Sequence, residues 1–234
     1  MASVTNRLLS ALSSESSRWL TSRSTAVPLP VRTSLYEPEQ ALRYAYFLTS
    51  GMASVVTPML DGGVAEVEVI GDEGLVGSFH LLGGAPVATS CFMQIAGTGL
   101  RIEISELRAA FIASEEIRNR ILELVQQQAL TVSQIAGCNR LHEAEARLAR
   151  WLLMAQDRAQ TDVLHLTQEF LAEMLGTQRT TVTMMARALQ SVGLIQYRQG
   201  EVKIVDRPGL EAAACDCYRI VKQLYVDLFV RPVA

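Results

Sequence analysis

Apolar positions change their period along this chain. From Leu35 to Ile104 they fall in short β-rich runs, Val55-Val56, Val64 to Ile70 and Phe92 to Ile95. Gly51, Asp61-Gly62-Gly63, Gly71, Gly74, Gly77, Gly83-Gly84, Gly97 and Gly99 punctuate them. Short strands with glycine turns about every ten residues predict a closed or rolled antiparallel sheet. Val64, Glu66 and Glu68 alternate imperfectly with Ala65, Val67 and Val69, as in a hairpin strand leaving the Asp61-Gly62-Gly63 turn. Upstream, Asn6 to Leu12 is patterned as a short amphipathic helix, and Pro28, Pro30 and Pro38 break the stretch that follows.

After Ser114 the period becomes helical. Ser114 is placed to cap a long helix, with Glu115 and Glu116 at its positive dipole end. Two stripes run along it. Ile117, Ile121, Leu124, Gln128, Thr131 and Ile135 follow steps of four and three, a coiled-coil seam with polar residues midway. Leu122, Val125, Ala129, Val132 and Ala136 form the other. A helix apolar on two sides is covered twice, here by the β-roll and by a second copy of the chain. The heptad spacing assigns the Ile117 stripe to that homodimer; the alternative is a helix buried inside a monomer. Gly137 is expected to interrupt the helix. Asn139 would then cap a second one from Arg140 to about Ala159, with Leu141, Leu148, Trp151, Leu152 and Met154 as its apolar content.

Further on, the spacing becomes specific. Thr167 caps a predicted helix Gln168 to Leu175, Gly176 follows, and a second helix runs from Arg179 to Ser191 with Gly193 past its end. Ala172 is small where two helices cross, and Gly176 permits a turn with positive φ. Val182 packs back on the first helix, and Leu171, Leu175 and Met185 complete a small core. Helices joined this way present the second one to a DNA major groove. Ile195 to Arg198 and Val202 to Val205, around Gln199-Gly200, add a β-hairpin wing. Arg179 stands where recognition helices meet base edges and can bond guanine O6 and N7. Gln178, Thr180, Thr181 and Thr183 suit bases or phosphates, and Arg187 suits phosphate. Thr167 and the amides of the helix opening at Gln168 offer a phosphate site.

These boundaries divide the 234 residues into an N-terminal helix and β-roll (1–113), a dimerisation helix (114–137), a winged helix-turn-helix (138–208) and a C-terminal helix (209–234). Hydrophobic residues make up 49% and charged ones 19%, a globular composition. Net charge is −3, so any basic surface is a local patch. Not one Lys or Arg lies between Tyr44 and Leu100, whereas Arg140, Arg147, Arg150, Arg158, Arg179, Arg187, Arg198, Lys203 and Arg207 fall later. No apolar run approaches the roughly 18 residues that span a bilayer, and Met1 to Leu20 lacks the pattern of a secretory signal. Cys91, Cys138, Cys215 and Cys217 form no CxxC pair, and no His cluster adjoins them in sequence. Neither a metal site nor a disulfide framework is expected, and a reducing cytoplasm is. Cys215 and Cys217 fall in a single predicted helix, Pro208 to Phe229, packed through Leu210, Ile220, Leu224 and Leu228, where buried inert thiols are the expectation. No nucleophile–base pair, metal cluster or phosphate loop suggests an enzyme. A protein-interaction module, with the roll docking a partner, is the competing class.

Leu35-Tyr36-Glu37-Pro38, Tyr46-Phe47 with Ser50-Gly51, Gly74-Leu75-Val76-Gly77, the long helix and Leu166-Thr167-Gln168-Glu169-Phe170-Leu171-Ala172 together resemble the Crp/Fnr family of transcription regulators. The resemblance covers nearly the whole chain. It implies an α+β fold: a jelly-roll-like antiparallel β-roll of the cyclic-nucleotide-binding kind, a dimerisation helix and a winged helix-turn-helix. It also implies a homodimer on a two-fold symmetric operator, contact with RNA polymerase, and activation more than repression.

Several residues depart from the family. Members that bind cyclic AMP carry a Gly-Glu pair and a downstream Arg. Here Ser78 follows Gly77, and Ala85-Pro86-Val87-Ala88-Thr89-Ser90 has no Arg. Without a cation between Tyr44 and Leu100 the pocket cannot pair with a phosphate, so tight cyclic AMP binding is not expected. Oxygen-sensing members hold an iron–sulfur cluster on cysteines near the N-terminus, but the first cysteine here is Cys91. His80 is the one histidine of the β region and reads as structural rather than a haem ligand. No cofactor is predicted, and the effector stays open. In the recognition helix the family's Arg, Glu and second Arg correspond to Arg179, Thr180 and Met184. Met184 can touch a thymine methyl but cannot bond guanine, so the operator is expected to differ.

Overall fold

The computed structural model describes residues 6–60, 62–83 and 86–230. Asp61 of the expected turn, and Gly84 and Ala85 of the expected loop segments, lie outside the described residues. The sheet is built on two long strands, β3 (Tyr44–Pro58) and β6 (Ser90–Glu103), paired antiparallel from Tyr44↔Glu103 to Val56↔Ser90. The runs Val55-Val56 and Phe92 to Ile95 are segments of these strands. β1 (Thr25–Leu29) flanks β6, and β4 (Val64–Ile70) flanks β3, giving the order β1-β6-β3-β4. The short β2 (Ser34–Tyr36) pairs with β6, and β5 (Leu75–Val76) with β3. Every pairing is antiparallel, as the alternating runs and glycine turns predict. The β3–β6 register shifts around Ser50 and Met52. There Gly51 has φ +78°, and a Cβ on Gly97 would fall 2.0 Å from the Ser50 carbonyl oxygen. Two glycines thus permit the backbone approach that bends this strand pair.

Before the sheet, α1 (Arg7–Ser10) is shorter than the predicted helix, and α2 (Ser14–Ser22) follows it unforeseen. Asn6 caps α1 through Leu9 N at 3.1 Å. Its buried amide donates to the carbonyls of Leu48 (2.9 Å) and Gly74 (2.8 Å), tying α1 to the roll. Ser13 caps α2 and also donates to Glu116, so this serine-rich stretch is helix-capping chemistry.

After α3 (Ile104–Ala113), Ser114 caps α4 (Glu115–Leu141) by accepting from Ile117 N at 3.3 Å. Gly137 does not interrupt α4, and Asn139 caps nothing. The chain turns at His142-Glu143, and α5 (Ala144–Ala159) begins there. One exposed glycine costs a helix only about 1 kcal/mol, which the packing of Ile135 and Cys138 on either side offsets.

The Ile117 stripe also requires correction. Ile117, Ile121, Leu124, Gln128, Thr131 and Ile135 are all buried within the single chain. The first three join Leu8, Leu9, Phe47, Leu75, Ile102 and Leu107 in one core cluster. Gln128 Oε1 accepts from Ser78 Oγ of the roll at 2.8 Å, and Gln127 Nε2 donates to Thr131 Oγ1 at 3.1 Å. This stripe is the inward face, not a free seam. Leu122, Ala129 and Ala136 of the other stripe are exposed, with Val125 and Val132 half-buried.

Past the reading helices, the single expected C-terminal helix is two. α8 (Arg207–Ala213), capped by Asp206 on Gly209 N at 3.0 Å, ends before Cys215, and α9 (Cys217–Val230) starts anew. Leu210 and Leu228 face inward as expected, whereas Ile220 is exposed and Leu224 half-buried. Tyr218, Val221 and Tyr225 take the inner positions of α9 instead. α9 lies back along α4, where the Arg120 guanidinium donates to the Leu228 carbonyl at 2.9 Å and Arg7 stands 4.4 Å over the Phe229 ring.

Between the roll and α5 lie paired polar groups. Arg158 Nε is 2.8 Å from Glu73 Oε1 with both side chains buried, a charge contact rather than an aligned hydrogen bond. Glu66 accepts from Trp151 Nε1 at 2.6 Å and from Ser54 Oγ at 2.7 Å. Burial pushes the Glu66 carboxyl from its ordinary 4.5 up to about 7, against the pull of Ser54, Trp151 and nearby arginines. Glu68 rises to about 7 by the same cause. Between these limits the folded chain binds more protons than the unfolded one, so stability falls as pH rises from 4.5 towards 7 and levels above. Denaturant midpoints across that range are expected to decline, and Glu66→Gln to flatten the decline. An unaltered slope in the variant would exclude Glu66 as a source.

Candidate nucleic-acid interface

The reading unit is assembled as its spacing predicts. Thr167 Oγ1 caps α6 (Gln168–Leu175) on Phe170 N at 3.2 Å. Gly176 takes φ +58°, and Thr177 N returns to the Ala172 carbonyl at 2.9 Å, a closed helix end that a residue without Cβ adopts without strain. α7 (Arg179–Ser191) follows, closed in turn at Gly193 (φ +78°) by Leu194 N on the Leu189 carbonyl at 3.0 Å. Leu171, Ala172, Leu175, Val182 and Met185 are buried together between the two helices and α5.

β8 (Ile195–Arg198) and β9 (Glu201–Ile204) pair as a hairpin in register Arg198↔Glu201. Gln199 and Gly200 both have positive φ, +52° and +80°, the tight turn whose twist matches a two-residue hairpin. The second strand begins one residue before the predicted Val202. A third strand that the sequence reading missed, β7 (Val163–His165), pairs with β9 and makes the wing a small sheet, order β7-β9-β8. Tyr197 Oη donates to the Leu166 carbonyl at 2.9 Å, and Leu166 N to the Gly200 carbonyl at 2.7 Å. The wing tip is thereby set beside Thr167.

The predicted contact residues divide into two groups. Gln178, Arg179, Thr180, Met184 and Arg187 are exposed on α7 and on its approach, and Thr181 is half-buried. Gln178 provides no side-chain cap for the first amides of α7. Thr183 and Gln168 are engaged with each other, Oγ1 to Oε1 at 2.7 Å, and lash the two helices together. The Thr167 oxygen is committed to its cap, though its hydroxyl hydrogen is left to donate. Arg179 does not stand free. Its guanidinium meets Glu169 Oε1 at 2.8 Å, with side chains 64% and 58% exposed. An ion pair so exposed contributes about 0–1 kcal/mol, and the arginine can exchange it for a base or phosphate. Sequence reasoning also missed Arg147, which donates from α5 to the Leu175 carbonyl at the end of α6. Neither partner was legible, because the residues involved are brought together by helix crossing rather than by a local period.

A trihelical reading unit with a wing, carried beside a β-roll and a long helix, defines a class of DNA-binding regulators. Residues 146–213 match the Crp-like helix-turn-helix domain family. Most of the chain shares its fold with solved Crp/Fnr structures. Against a Crp/Fnr-family transcriptional regulator from Eubacterium rectale the TM-score is 0.71 at 17% identity, covering 88% of this chain and 96% of that one. FixK2 from Bradyrhizobium japonicum gives 0.69 at 15%, covering 82% and 98%. A Crp-family regulator from Thermus thermophilus gives 0.67 at 23%, covering 80% and 96%. No curated protein matches the chain by sequence. The protein thus carries a Crp-like helix-turn-helix domain and has the Crp/Fnr architecture.

Proposed function

We propose that this chain is a homodimeric, sequence-specific transcription regulator of the cytoplasm that binds a two-fold operator, contacts RNA polymerase as an activator and does not answer to cyclic AMP. The observation that carries it is the exposed face of α7, where Gln178, Arg179, Thr180 and Met184 stand clear of the packed core. Support for the dimer comes from the second stripe of α4, Leu122, Val125, Ala129, Val132 and Ala136, which keeps heptad spacing and leaves Leu122, Ala129 and Ala136 exposed. Support for cyclic AMP independence comes from the roll. Ser78, at the family's Glu position, is buried and bonded to Gln128. Leu48, Val55, Ile70, Val76 and Met93 pack together in the sheet, and Tyr36 stands edge-on to His80 at 5.0 Å. Among the described residues no helix is long and apolar enough to cross a membrane.

Selection of operators from random DNA, followed by binding titrations across salt, tests the proposal. Affinity is expected to fall steeply with salt as phosphates shed counterions, and millimolar cyclic AMP to leave it unchanged. Arg179→Ala is expected to cost about 1–3 kcal/mol on the selected operator and relax preference at one base pair per half-site, whereas Arg187→Ala weakens all sequences alike. Undiminished affinity and preference in Arg179→Ala would remove Arg179 from base reading.

A further inference from the structure

Four side chains distant in sequence converge where α4 ends. Cys138 and His142 stand four residues apart, His142 just after the last helical residue, Leu141. Cys215, in the α8–α9 connection, and Cys217, the first residue of α9, meet them. The three sulfurs and one imidazole nitrogen all lie within 4.8 Å of one another. Cys138 Sγ is 3.4 Å from Cys215 Sγ, and Cys217 Sγ is 3.5 Å from His142 Nδ1. None of the thiols is in a disulfide. No spacing signature in the sequence marks this convergence, because it is the break between α8 and α9 that turns a C-x-C pair onto a helix-borne C-x-x-x-H pair.

We infer that Cys138, His142, Cys215 and Cys217 form a tetrahedral site for one zinc-like divalent cation, which fastens the elbow between α4 and the DNA-reading domain. Zinc–sulfur bonds of about 2.3 Å and zinc–nitrogen bonds of about 2.0–2.1 Å set neighbouring donors of a tetrahedron about 3.5–3.8 Å apart. The Cys217–His142 pair at 3.5 Å already has that separation, and the Cys138–Cys215 pair at 3.4 Å lies just below it. A disulfide would use two of the four groups and leave the others without a role. A multi-iron cluster would need the sulfurs spread around its irons. Three thiolates and a neutral imidazole on a divalent ion carry a net charge of −1, and the surroundings suit it. Gln134 Nε2 donates to Cys217 Sγ at 3.1 Å, the kind of outer bond that orients a metal ligand. Arg150 is buried and forms no ion pair among the described residues. The site joins the end of α4 to α8 and α9, and α8 is tied to α5 by Arg207 on Asp157 at 2.6 Å. Metal would therefore fix the angle at which α7 is presented.

The test uses the full chain, purified under reducing conditions and titrated with cobalt(II), then zinc(II). One cobalt per chain is expected, with the visible bands of tetrahedral thiolate coordination, displaced stoichiometrically by zinc. Cys217→Ser is expected to lose those bands. His142→Gln, at an exposed position that leaves folding intact, is expected to weaken zinc at least tenfold. Cys91→Ser, in the roll, is expected to bind as the parent does. Absence of thiolate–cobalt bands, an iron–sulfur spectrum, or a Cys138–Cys215 disulfide in the reduced chain's place would overturn the site. Removing zinc with a chelator is expected to lower operator affinity at least tenfold. That last arm rests on the proposed DNA-binding function: metal binding with unchanged operator affinity overturns the elbow role alone, and a zinc-loaded chain that selects no operator overturns the function alone.

Discussion

Leu122→Glu combined with Ala129→Glu is expected to give a folded monomer that has lost at least a hundredfold in operator affinity. Leu122 is 43% exposed and Ala129 is exposed, so neither change disturbs the chain's own core. In a dimer the same positions face a second helix, where an unpaired carboxylate carries a large desolvation cost. Separating the halves turns a two-site attachment into a one-site attachment, and linked sites contribute about 10²–10⁴ in avidity. Sedimentation reads the first effect and operator titration the second. The contrasting pair, Ile121→Glu with Leu124→Glu, is expected to unfold the chain, because those side chains are 2% and 1% exposed inside the roll–helix core. A double variant at Leu122 and Ala129 that stays dimeric would place the dimer contact elsewhere.

Glu73→Ala is expected to destabilise the fold by about 3–5 kcal/mol, because it strands the buried Arg158 guanidinium without its counter-charge. Arg158 also donates to the Met154 carbonyl at 3.1 Å and faces the Tyr225 ring at 5.2 Å, so it cannot swing out to water without breaking both contacts. Replacing both partners, Glu73→Leu with Arg158→Met, is expected to cost much less than the single change, since burying two apolar groups avoids the penalty of one orphaned charge. Denaturant unfolding of Glu73→Leu, Arg158→Met and the double variant forms the cycle. Equal losses in the single and double variants would mean that Glu73 acts through packing alone.

Sequence reached furthest where chemistry is local. The α6–α7 pair was legible because cap, positive-φ glycine and crossing residue sit at fixed offsets within one short segment, Thr167, Gly176 and Ala172. The roll was legible as a class from its glycine spacing, but β3 and β6 were seen only as fragments. Their long pairing depends on a partner 36 to 55 residues away, as Val55↔Cys91 and Tyr46↔Arg101 illustrate. α4 shows the limit most clearly. Both stripes keep steps of three and four, so periodicity alone cannot tell which one the chain's own roll and C-terminal helix will cover. Polar Gln128 and Thr131 read as an interchain seam, yet their partners are intrachain. His142 was overlooked for a similar reason, since a ligand set drawn from two helix ends more than 70 residues apart leaves no spacing signature.

The return of α9 onto α1 and the start of α4 has a bearing on folding order. Leu228 shares one core cluster with Leu8, Leu9 and Leu20, although nearly the whole chain separates them. Synthesis delivers the roll's strands long before that helix exists. Until it arrives, the flank of the roll that Leu228 seals stays open to water. The nascent roll therefore waits as a partly finished body, with an apolar edge that favours association with a helper or with another unfinished chain. Docking of α9 closes both the core and that window.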